Sequence, residues 1–268
     1  MEEWTEIAGI FDSHAHYDDA AFDADRTEVL NALPQKGISY VMNVASDFMS
    51  AQAGISLTEQ FPFVYSSVGI HPEFAQTLSK SALGDLERWL DYPKVKAVGE
   101  IGLDYHYEGY SKKQQWNAFE RQMELAERTG YPVIIHSRDA VEDTLAILRS
   151  FPKVKGVVHC FSGSVQTAQE LLKMGYYIGF TGVITFSNAK KAVLAAESVP
   201  LERLLIETDC PYMAPVPMRG KRCDSTMLPW TAARLAEIHQ IATEELIRQT
   251  CQNALALYRI SKMEKDCG

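Results

Sequence analysis

The chain has 268 residues, of which 46% are hydrophobic and 23% charged, and its formal net charge is −9. This composition is ordinary for a globular protein with a large core, and the length suits one large barrel or two small domains. The negative charge argues against a protein that coats nucleic acid electrostatically. It does not exclude a nuclease, because metal ions and a few local cations can neutralise phosphates at one site.

The N-terminal segment is acidic and lacks the basic start and apolar run of a signal peptide. No apolar stretch approaches the roughly 18 residues that a transmembrane helix needs. We therefore expect a cytoplasmic protein with no membrane association. No two cysteines form a CxxC pair, so reduced thiols are expected rather than a disulfide framework or a structural zinc site. The cysteines are Cys160, Cys210, Cys223, Cys251 and Cys267.

Short apolar runs alternate along the chain with longer amphipathic stretches. The runs mostly lack polar alternation, which is typical of strands buried on both faces of a parallel sheet. The predicted strands are residues 7–11, 38–44, 63–68, 95–98, 132–135, 156–158, 177–180 and 204–206. The predicted helices are residues 23–35, 47–60, 81–90, 111–129, 140–149, 165–174, 188–198, 228–240 and 244–257.

A strand followed by a helix, eight times over, predicts an α/β protein of the (β/α)₈ TIM-barrel type. No linker or low-complexity segment marks a boundary, so we expect a single domain over residues 1–268. A doubly wound open sheet is the alternative fold.

Histidines and carboxylates follow the predicted strands where the apolar runs end. Six of the seven histidines lie at or just after a strand end, and only His239 lies on a predicted helix. In a barrel these ends converge on one face, where active sites are built. His14 and His16 are two positions apart, so their side chains point to the same side of an extended segment and can bind one metal ion. Alone, such a pair also fits a chance pair or two hydrogen-bonded core histidines.

Four further candidate ligands follow later strands, namely Glu100, His136, His159 and Asp209. A carboxylate directly after the apolar run 95–99 is costly to bury unless a cation neutralises it. Taken singly, the glutamate also fits an ordinary residue of the barrel rim, each histidine a core residue, and the aspartate a helix N-cap or turn residue. Together with the two N-terminal histidines, the four form a full ligand set for hard-to-borderline divalent metals.

The central position of Glu100 favours a bridge between two metal ions. We predict that one ion is bound by His14, His16, Glu100 and Asp209, and the other by Glu100, His136 and His159. Two such ions would activate a water molecule for hydrolysis and hold a phosphate oxygen. Asp209 would also accept the proton of the attacking water, so Glu100 and Asp209 are the predicted catalytic residues.

Several cations are candidates for contacts with substrate phosphates, since arginine matches a phosphate with two parallel hydrogen bonds. They are Arg138, Arg219, Lys221 and Arg222. The alternative for residues 220–222 is a solvated basic turn. His71 is expected to touch the substrate or to tune a ligand, or else to bond to the backbone. Asp104 and Glu207 are expected to orient metal ligands.

Six segments in this order resemble the TatD metal-dependent deoxyribonucleases, which belong to the amidohydrolase superfamily. The segments are FDSHAH, VGIHPE, VGEIGLDY, PVIIHSRDA, HCFSG and ETDCPYMAPVPMRGKR, within residues 11–222. The resemblance implies the same barrel, a pair of divalent ions (Mg²⁺, Mn²⁺ or Zn²⁺) and 3′→5′ exonuclease action on DNA, on single strands or 3′ ends. It places the ligands at the six residues named above, with Glu100 as the bridge.

This sequence departs from the family pattern beside the ligands, not among them. Cys210 stands where serine or alanine is common, and residues 223–225 replace a more usual Asn-Glu-Pro. Relatives elsewhere in the superfamily often bridge the metals with a carboxylated lysine, and the end of the fourth strand offers none. These departures put contacts at the rim in doubt and leave the chemistry intact.

Two other functions fit parts of the sequence. One is an amidohydrolase that acts on a small lactone, cyclic amide or aminoacyl ester, including a D-aminoacyl-tRNA. The other is a non-catalytic scaffold that binds nucleic acid, although such a relative would be expected to have lost a ligand. The sequence indicates no obligate protein partner.

Overall fold

A computed structural model describes residues 8–261 as a barrel of eight parallel strands that pair in chain order. The strands are β1 (Ile10–Ala15), β2 (Ile38–Asn43), β3 (Val64–Val68), β4 (Val95–Asp104), β5 (Val133–Arg138), β6 (Gly156–Val158), β7 (Tyr177–Phe180) and β8 (Leu204–Ile206). The predicted (β/α)₈ TIM barrel is confirmed.

One or more helices follow each strand and cover the outside of the barrel. They are α1 (Arg26–Ala32), α2 (Phe48–Gln60), α3 (Lys80–Trp89), α4 (Lys112–Thr129), α5 (Val141–Ser150), α6 (Val165–Lys173), α7 (Lys190–Ser198), α8 (Leu228–His239) and α9 (Thr243–Leu257). Local sequence sets their ends. The Ser111 side chain accepts a hydrogen bond from Gln114 N–H before α4, and Gly130 ends that helix in a left-handed conformation.

Three strands extend further than the apolar runs predicted. β1 runs over Ile10–Ala15 instead of 7–11, and residue 7 lies outside the described residues. β4 continues to Asp104 and β5 to Arg138, because these two strands stay paired up to that last residue pair. The prediction ended each of these three strands where its apolar run ended. In the structure the polar residues belong to the strands, which fixes the backbone beneath the candidate ligands.

The inside of the barrel is built in layers with the period of two that a strand imposes. Ile134, Val157 and Leu205 belong to a buried inner cluster on β5, β6 and β8. Two residues further along the chain come His136 on β5, His159 directly after β6 and Glu207 directly after β8, so a polar layer lies above an apolar one. The chain thereby separates a packed floor from a polar face.

A register shift in β4 aims Glu100 into this polar layer. Val98 pairs with Val133 and Ile101 with Ile135, so three steps along β4 oppose two along β5. Both Val98 and Ile101 belong to the outer core cluster between barrel and helices. The irregularity of a β-bulge lies between them, and bulges commonly re-aim a side chain next to a site.

The barrel closes between β8 and β1 through residues that adjoin the candidate ligands. Asp209 N–H donates to the carbonyl oxygen of His14 at 2.9 Å, and His16 N–H donates to that of Cys210 at 2.9 Å. Helix α9 covers the other end of the barrel, where the Tyr258 hydroxyl donates to the Ser13 carbonyl at 3.1 Å. The same backbone contacts therefore close the fold and position the site.

A buried carboxylate reinforces this closure. Asp12 is fully buried, and its Oδ1 accepts from Thr208 N–H at 3.0 Å. Its Oδ2 accepts from the hydroxyls of Thr208 and Ser225, each at 2.6 Å. A strand-1 carboxylate thus satisfies three donors on the segment that follows β8.

Two further predictions from the sequence concern disulfide bonds and membrane-spanning helices. Within the described residues, Cys160, Cys210, Cys223 and Cys251 form no disulfide, and Cys267 lies outside these residues. Over residues 8–261, the helices are all too short or too polar to cross a membrane.

Asp12→Ala should lower the free energy of unfolding by about 3 kcal/mol, because it leaves buried donors without an acceptor. Asp12→Asn should cost less, since its carbonyl oxygen still accepts one of these bonds. Urea unfolding followed by circular dichroism measures both effects. The exposed Asp91→Ala is the control, and an equal cost for Asp12→Ala and Asp91→Ala would contradict the role of Asp12 in closure.

Candidate metal centre

Glu100 lies at the centre of the polar layer, and its two carboxylate oxygens face different groups of imidazoles. Oε1 lies 2.7 Å from His159 Nε2 and 2.9 Å from His136 Nδ1. Oε2 lies 3.4 Å from His14 Nε2 and 3.9 Å from His16 Nε2. The carboxylate is 3% exposed, so these rings replace water around it.

Asp209 completes the group around the HxH pair. Its Oδ1 lies 3.3 Å from His16 Nε2 and 3.7 Å from His14 Nε2. Its backbone has a φ of 57°, a left-handed conformation that aspartate tolerates better than most residues. All six predicted ligands therefore come together at one face of the barrel.

The donor atoms fit metal ions in number, chemistry and spacing. Three groups have ligand atoms within 4.8 Å of one another: His14, Glu100 and His159; His14, His16 and Asp209; and His71, Glu100 and His136. Ligands bonded at about 2.0–2.2 Å to one tetrahedral ion lie about 3.5 Å apart, which these separations approach. Imidazole nitrogens with carboxylate oxygens suit borderline divalent ions such as Zn²⁺ or Mn²⁺.

His71 lies among the candidate ligands, closer to Glu100 than a residue that only touches the substrate would need to be. Its Nε2 is 3.7 Å from Glu100 Oε1, and its ring meets that of His136 edge to face at 4.5 Å. Its Nδ1 accepts from Glu73 N–H. The signal in the sequence was its position after a strand, which it shares with the other ligands.

Burial and charge set the protonation of the cluster. Burial alone would raise the pKa of Glu100, but His159 and His71 lower it well below its usual value. Burial lowers the pKa of His14 to about 4. For His16, burial opposes a charged ring, yet Asp209 raises the pKa to about 10. The carboxylates are therefore anions that attract cations, and a metal ion would have to displace the proton on His16.

Hydrogen bonds outside the centre orient two of the rings. His16 Nδ1–H donates to the Val44 carbonyl at 2.8 Å, which leaves Nε2 to face the centre. His136 is reversed, because its Nε2–H donates to Asp104 Oδ2 at 2.9 Å and its Nδ1 faces Glu100. A carboxylate behind a ligand histidine fixes the ring and raises its basicity.

Glu207 lies beneath the ring of His159. Its Oε1 accepts from Cys160 N–H at 2.5 Å and lies 3.7 Å from His159 Nδ1. A side chain at Gly179 would come within 2.4 Å of Glu207 Oε2, so the glycine leaves room for the carboxylate. Burial raises the pKa of Glu207 to about 7.

A cavity of about 370 Å³, here called the metal cavity, opens onto these groups. Its rim includes Asp18, Asp19, Glu73 and Tyr212, which sequence analysis left out of the candidate site. Over residues 8–261, its lining contains neither lysine nor arginine. Positive charge next to a substrate here would therefore come from bound ions or protonated histidines.

The predicted phosphate-binding cations lie outside this lining. Arg222 donates to both carboxylate oxygens of Asp25, at 2.7 and 2.6 Å. Arg219 stacks on Phe186, and Arg138 on Tyr107. The Lys221 side chain is exposed and makes no hydrogen bond within the described part of the chain. The pairing of Arg222 gives it a structural contact that the sequence did not indicate.

The chain is similar in sequence to known proteins over most of its length. The family profile of the TatD related DNases matches residues 11–259. A Bacillus subtilis protein named as an uncharacterized metal-dependent hydrolase, YabD, is 37% identical over 254 residues, which are 94% of this chain and 100% of the relative. An Erwinia tasmaniensis protein named 3′-5′ ssDNA/RNA exonuclease TatD is 31% identical over 261 residues, or 94% and 100% of the two chains.

A solved structure has the same architecture. The crystal structure of YJJV, a TatD homologue from Escherichia coli K12, superposes with a TM-score of 0.89 at 29% identity. The match covers 95% of this chain and 99% of that one.

Asp104→Ala should weaken metal binding about 10- to 100-fold, because His136 loses the acceptor that holds its Nδ1 toward the centre. Titration of metal-free protein with Zn²⁺ or Mn²⁺, followed by calorimetry, measures the affinity. Asp139→Ala is a matched control, since Asp139 pairs with the exposed His106 at the same 2.9 Å. Equal affinities for the Asp104 and Asp139 variants would argue against this role.

Proposed function

The chain belongs to the TatD related DNase family of metal-dependent hydrolases, and we propose that it removes nucleotides from the 3′ ends of single-stranded DNA. The name of the Erwinia relative supports a nucleic-acid substrate and this polarity. The proposed cofactor is a pair of divalent ions.

The proposal of two metal ions rests on the position of the Glu100 carboxylate between two groups of histidines. One oxygen faces His136 and His159, and the other faces His14 and His16. A carboxylate that faces two sets of ligands suits two ions bound side by side, as in many enzymes that cleave phosphate esters. We therefore assign Glu100 as the bridge, with Asp209 on the side of the HxH pair.

In the proposed reaction, water attacks the phosphorus atom and the bond to the 3′ oxygen of the penultimate nucleotide breaks. The ions, when bound, acidify the water and offset the charge that develops on the phosphate. Asp209 accepts a proton from the water at its carboxylate, and that proton ends on the leaving 3′ oxygen. The products are a 5′-nucleotide and a shortened strand. Asp104 and Glu207 would hold the rings of His136 and His159 in place.

A second function is favoured by the acidic rim of the metal cavity. Asp18, Asp19 and Glu73 would repel a polyanion but would attract the ammonium group of an aminoacyl ester. Metal-loaded protein assayed in parallel on single-stranded DNA, single-stranded RNA and D-aminoacyl-tRNA decides between the two. Release of the amino acid without nucleotide release would replace the nuclease proposal.

Glu100→Gln should lower the content of both ions and reduce hydrolysis of bis-p-nitrophenyl phosphate about a hundredfold or more. His159→Ala should reduce mainly one ion. Elemental analysis of purified protein measures the occupancy, and exhaustive chelation should abolish hydrolysis. Loss of a single ion in both variants would make Glu100 a terminal ligand. Activity that survives chelation would refute the metal mechanism.

Lys221→Ala should lower the slope of log affinity against log salt for single-stranded DNA by about 0.7, the value for one phosphate contact. Lys221 lies on the loop after β8, at the face of the metal centre, and its charge is free to bind a phosphate. Lys36→Ala removes the same charge before β2, at the opposite end of the barrel, and should leave the slope unchanged.

Arg222→Ala tests the predicted phosphate contact of that residue in the same assay. Because Arg222 already binds Asp25, we expect a smaller change in slope than for Lys221→Ala. Hydrolysis of bis-p-nitrophenyl phosphate should stay intact in the lysine variants, since this small substrate has no flanking phosphate. If both loop variants keep the wild-type salt slope, residues 220–222 form a solvated turn that does not contact a phosphate.

A further inference from the structure

A second cavity of about 360 Å³, here called the side cavity, adjoins the metal centre between the ends of β5 and β6. We propose that it binds the base of the 3′-terminal nucleotide while the scissile phosphate lies at the metal centre. This inference rests on the proposed nuclease function and adds to it the part of the substrate that each cavity holds.

The two cavities share a wall. His159 lines both of them, with its Nε2 2.7 Å from Glu100 Oε1 on the metal side. On β5, His136 lines the metal cavity, and the next two residues, Ser137 and Arg138, line the side cavity. A ligand that spans the two sites therefore passes a single shared residue, His159, and a nucleotide offers a phosphate and a base joined by one sugar.

One part of the lining of the side cavity is apolar and suits the face of a flat ring. Leu145 on α5 and Val158 on β6 are buried there, with Leu171 on α6. Phe161 adds an aromatic wall. Its ring packs against Gly163, where an added Cβ would come within 2.6 Å of the ring. The volume of the side cavity lies within the range of about 300–1,000 Å³ that is usual for small-molecule sites.

Charge at the mouth of the side cavity suits a phosphate. Arg138 and Lys191 both line it and both are exposed, whereas the metal cavity is ringed by Asp18, Asp19 and Glu73. With the exposed carboxylate of Asp139 in the same lining, the two cations leave the mouth of the side cavity more positive than the acidic rim of the metal cavity. They would attract the anionic nucleotide toward the junction, while its phosphate lies at the metal centre.

Two pairs of hydroxyls at the side cavity already form hydrogen bonds within the protein. The hydroxyls of Ser137 and Thr144 bond to each other at 2.9 Å, and Thr167 bonds to Ser164 at 3.0 Å. The proposal assigns recognition to desolvation and stacking, which depend weakly on the identity of the base. This agrees with an exonuclease that must accept every terminal nucleotide in turn.

The test compares two ligands of the metal-loaded protein by calorimetry. Deoxyadenosine 5′-monophosphate carries a base, and 2-deoxyribose 5-phosphate has the same sugar and phosphate without one. Wild-type protein should bind the nucleotide at least about fivefold more tightly, since stacking of one base contributes about 1–3 kcal/mol. Equal affinities for the two ligands would overturn the proposal.

Thr167→Trp should remove this difference, because Thr167 lines the side cavity from α6 and the indole fills it. Gln166→Trp is the matched control, since the neighbouring residue on the same helix is exposed and outside the lining. If Thr167→Trp does not fold, Val141→Trp replaces it, at an exposed position on α5 that lines the same cavity. A folded cavity variant that keeps the full difference would overturn the proposal.

Two lysine variants test the contribution of positive charge at the mouth of the side cavity. Lys191→Ala should weaken both ligands several-fold, whereas Lys190→Ala should weaken neither, because only Lys191 lines the cavity. Equal effects of the two lysine variants would remove Lys191 from the site. Digestion of single-stranded DNA by the wild type separates the two proposals. If the nucleotide binds more tightly than the sugar phosphate but DNA is not digested, the side cavity still binds a base and the nuclease proposal is refuted. If DNA is digested but the two ligands bind equally, the nuclease proposal stands and the base-binding proposal is refuted.

Discussion

The buried carboxylate of Glu100 is the constraint on which the rest of the site depends. An anion that is 3% exposed cannot be stable inside a barrel unless cations replace its water. Five imidazoles lie within 4 Å of its two oxygens, three of them near Oε1 and two near Oε2. Each of these histidines lies in a strand or within three residues of its end, and His16, His71 and His136 also form a hydrogen bond outside the centre. The need to neutralise one carboxylate thus explains why so many histidines converge here.

The fold and the site depend on the same contacts. The backbone of Asp209 bonds to His14, and that of His16 to Cys210, where β8 meets β1 and the barrel closes. Asp12 supports this junction from below through Thr208 and Ser225. A change that loosens the closure would therefore also displace ligands. Rigid backbone beneath the ligands is what allows a site to be held ready for its metals.

The convergence of the six candidate ligands could be predicted from sequence because strand phase is local. His14 and His16 share a face through the period of two, and the other ligands follow apolar runs that must converge in a barrel. Contacts between distant loops are not encoded in this way. The pairing of Arg222 with Asp25, and the place of Lys191 in the side cavity, depend on how loops pack across the face. The prediction also ended β4 too early, because a bulge at Glu100 has no apolar pattern.

The distribution of charge implies an order in which the site is filled. Without ions, the metal cavity is lined by Glu100, Asp209 and the acidic rim, and its cations are histidines that share protons with these carboxylates. A phosphodiester entering this field would be repelled. Bound ions reverse the sign of the centre, while Arg138 and Lys191 already attract phosphate next door. A nucleic acid would therefore meet the side cavity as a favourable site at all times and the metal centre only when it is loaded. Metal occupancy would then govern alignment of the scissile bond as well as its cleavage.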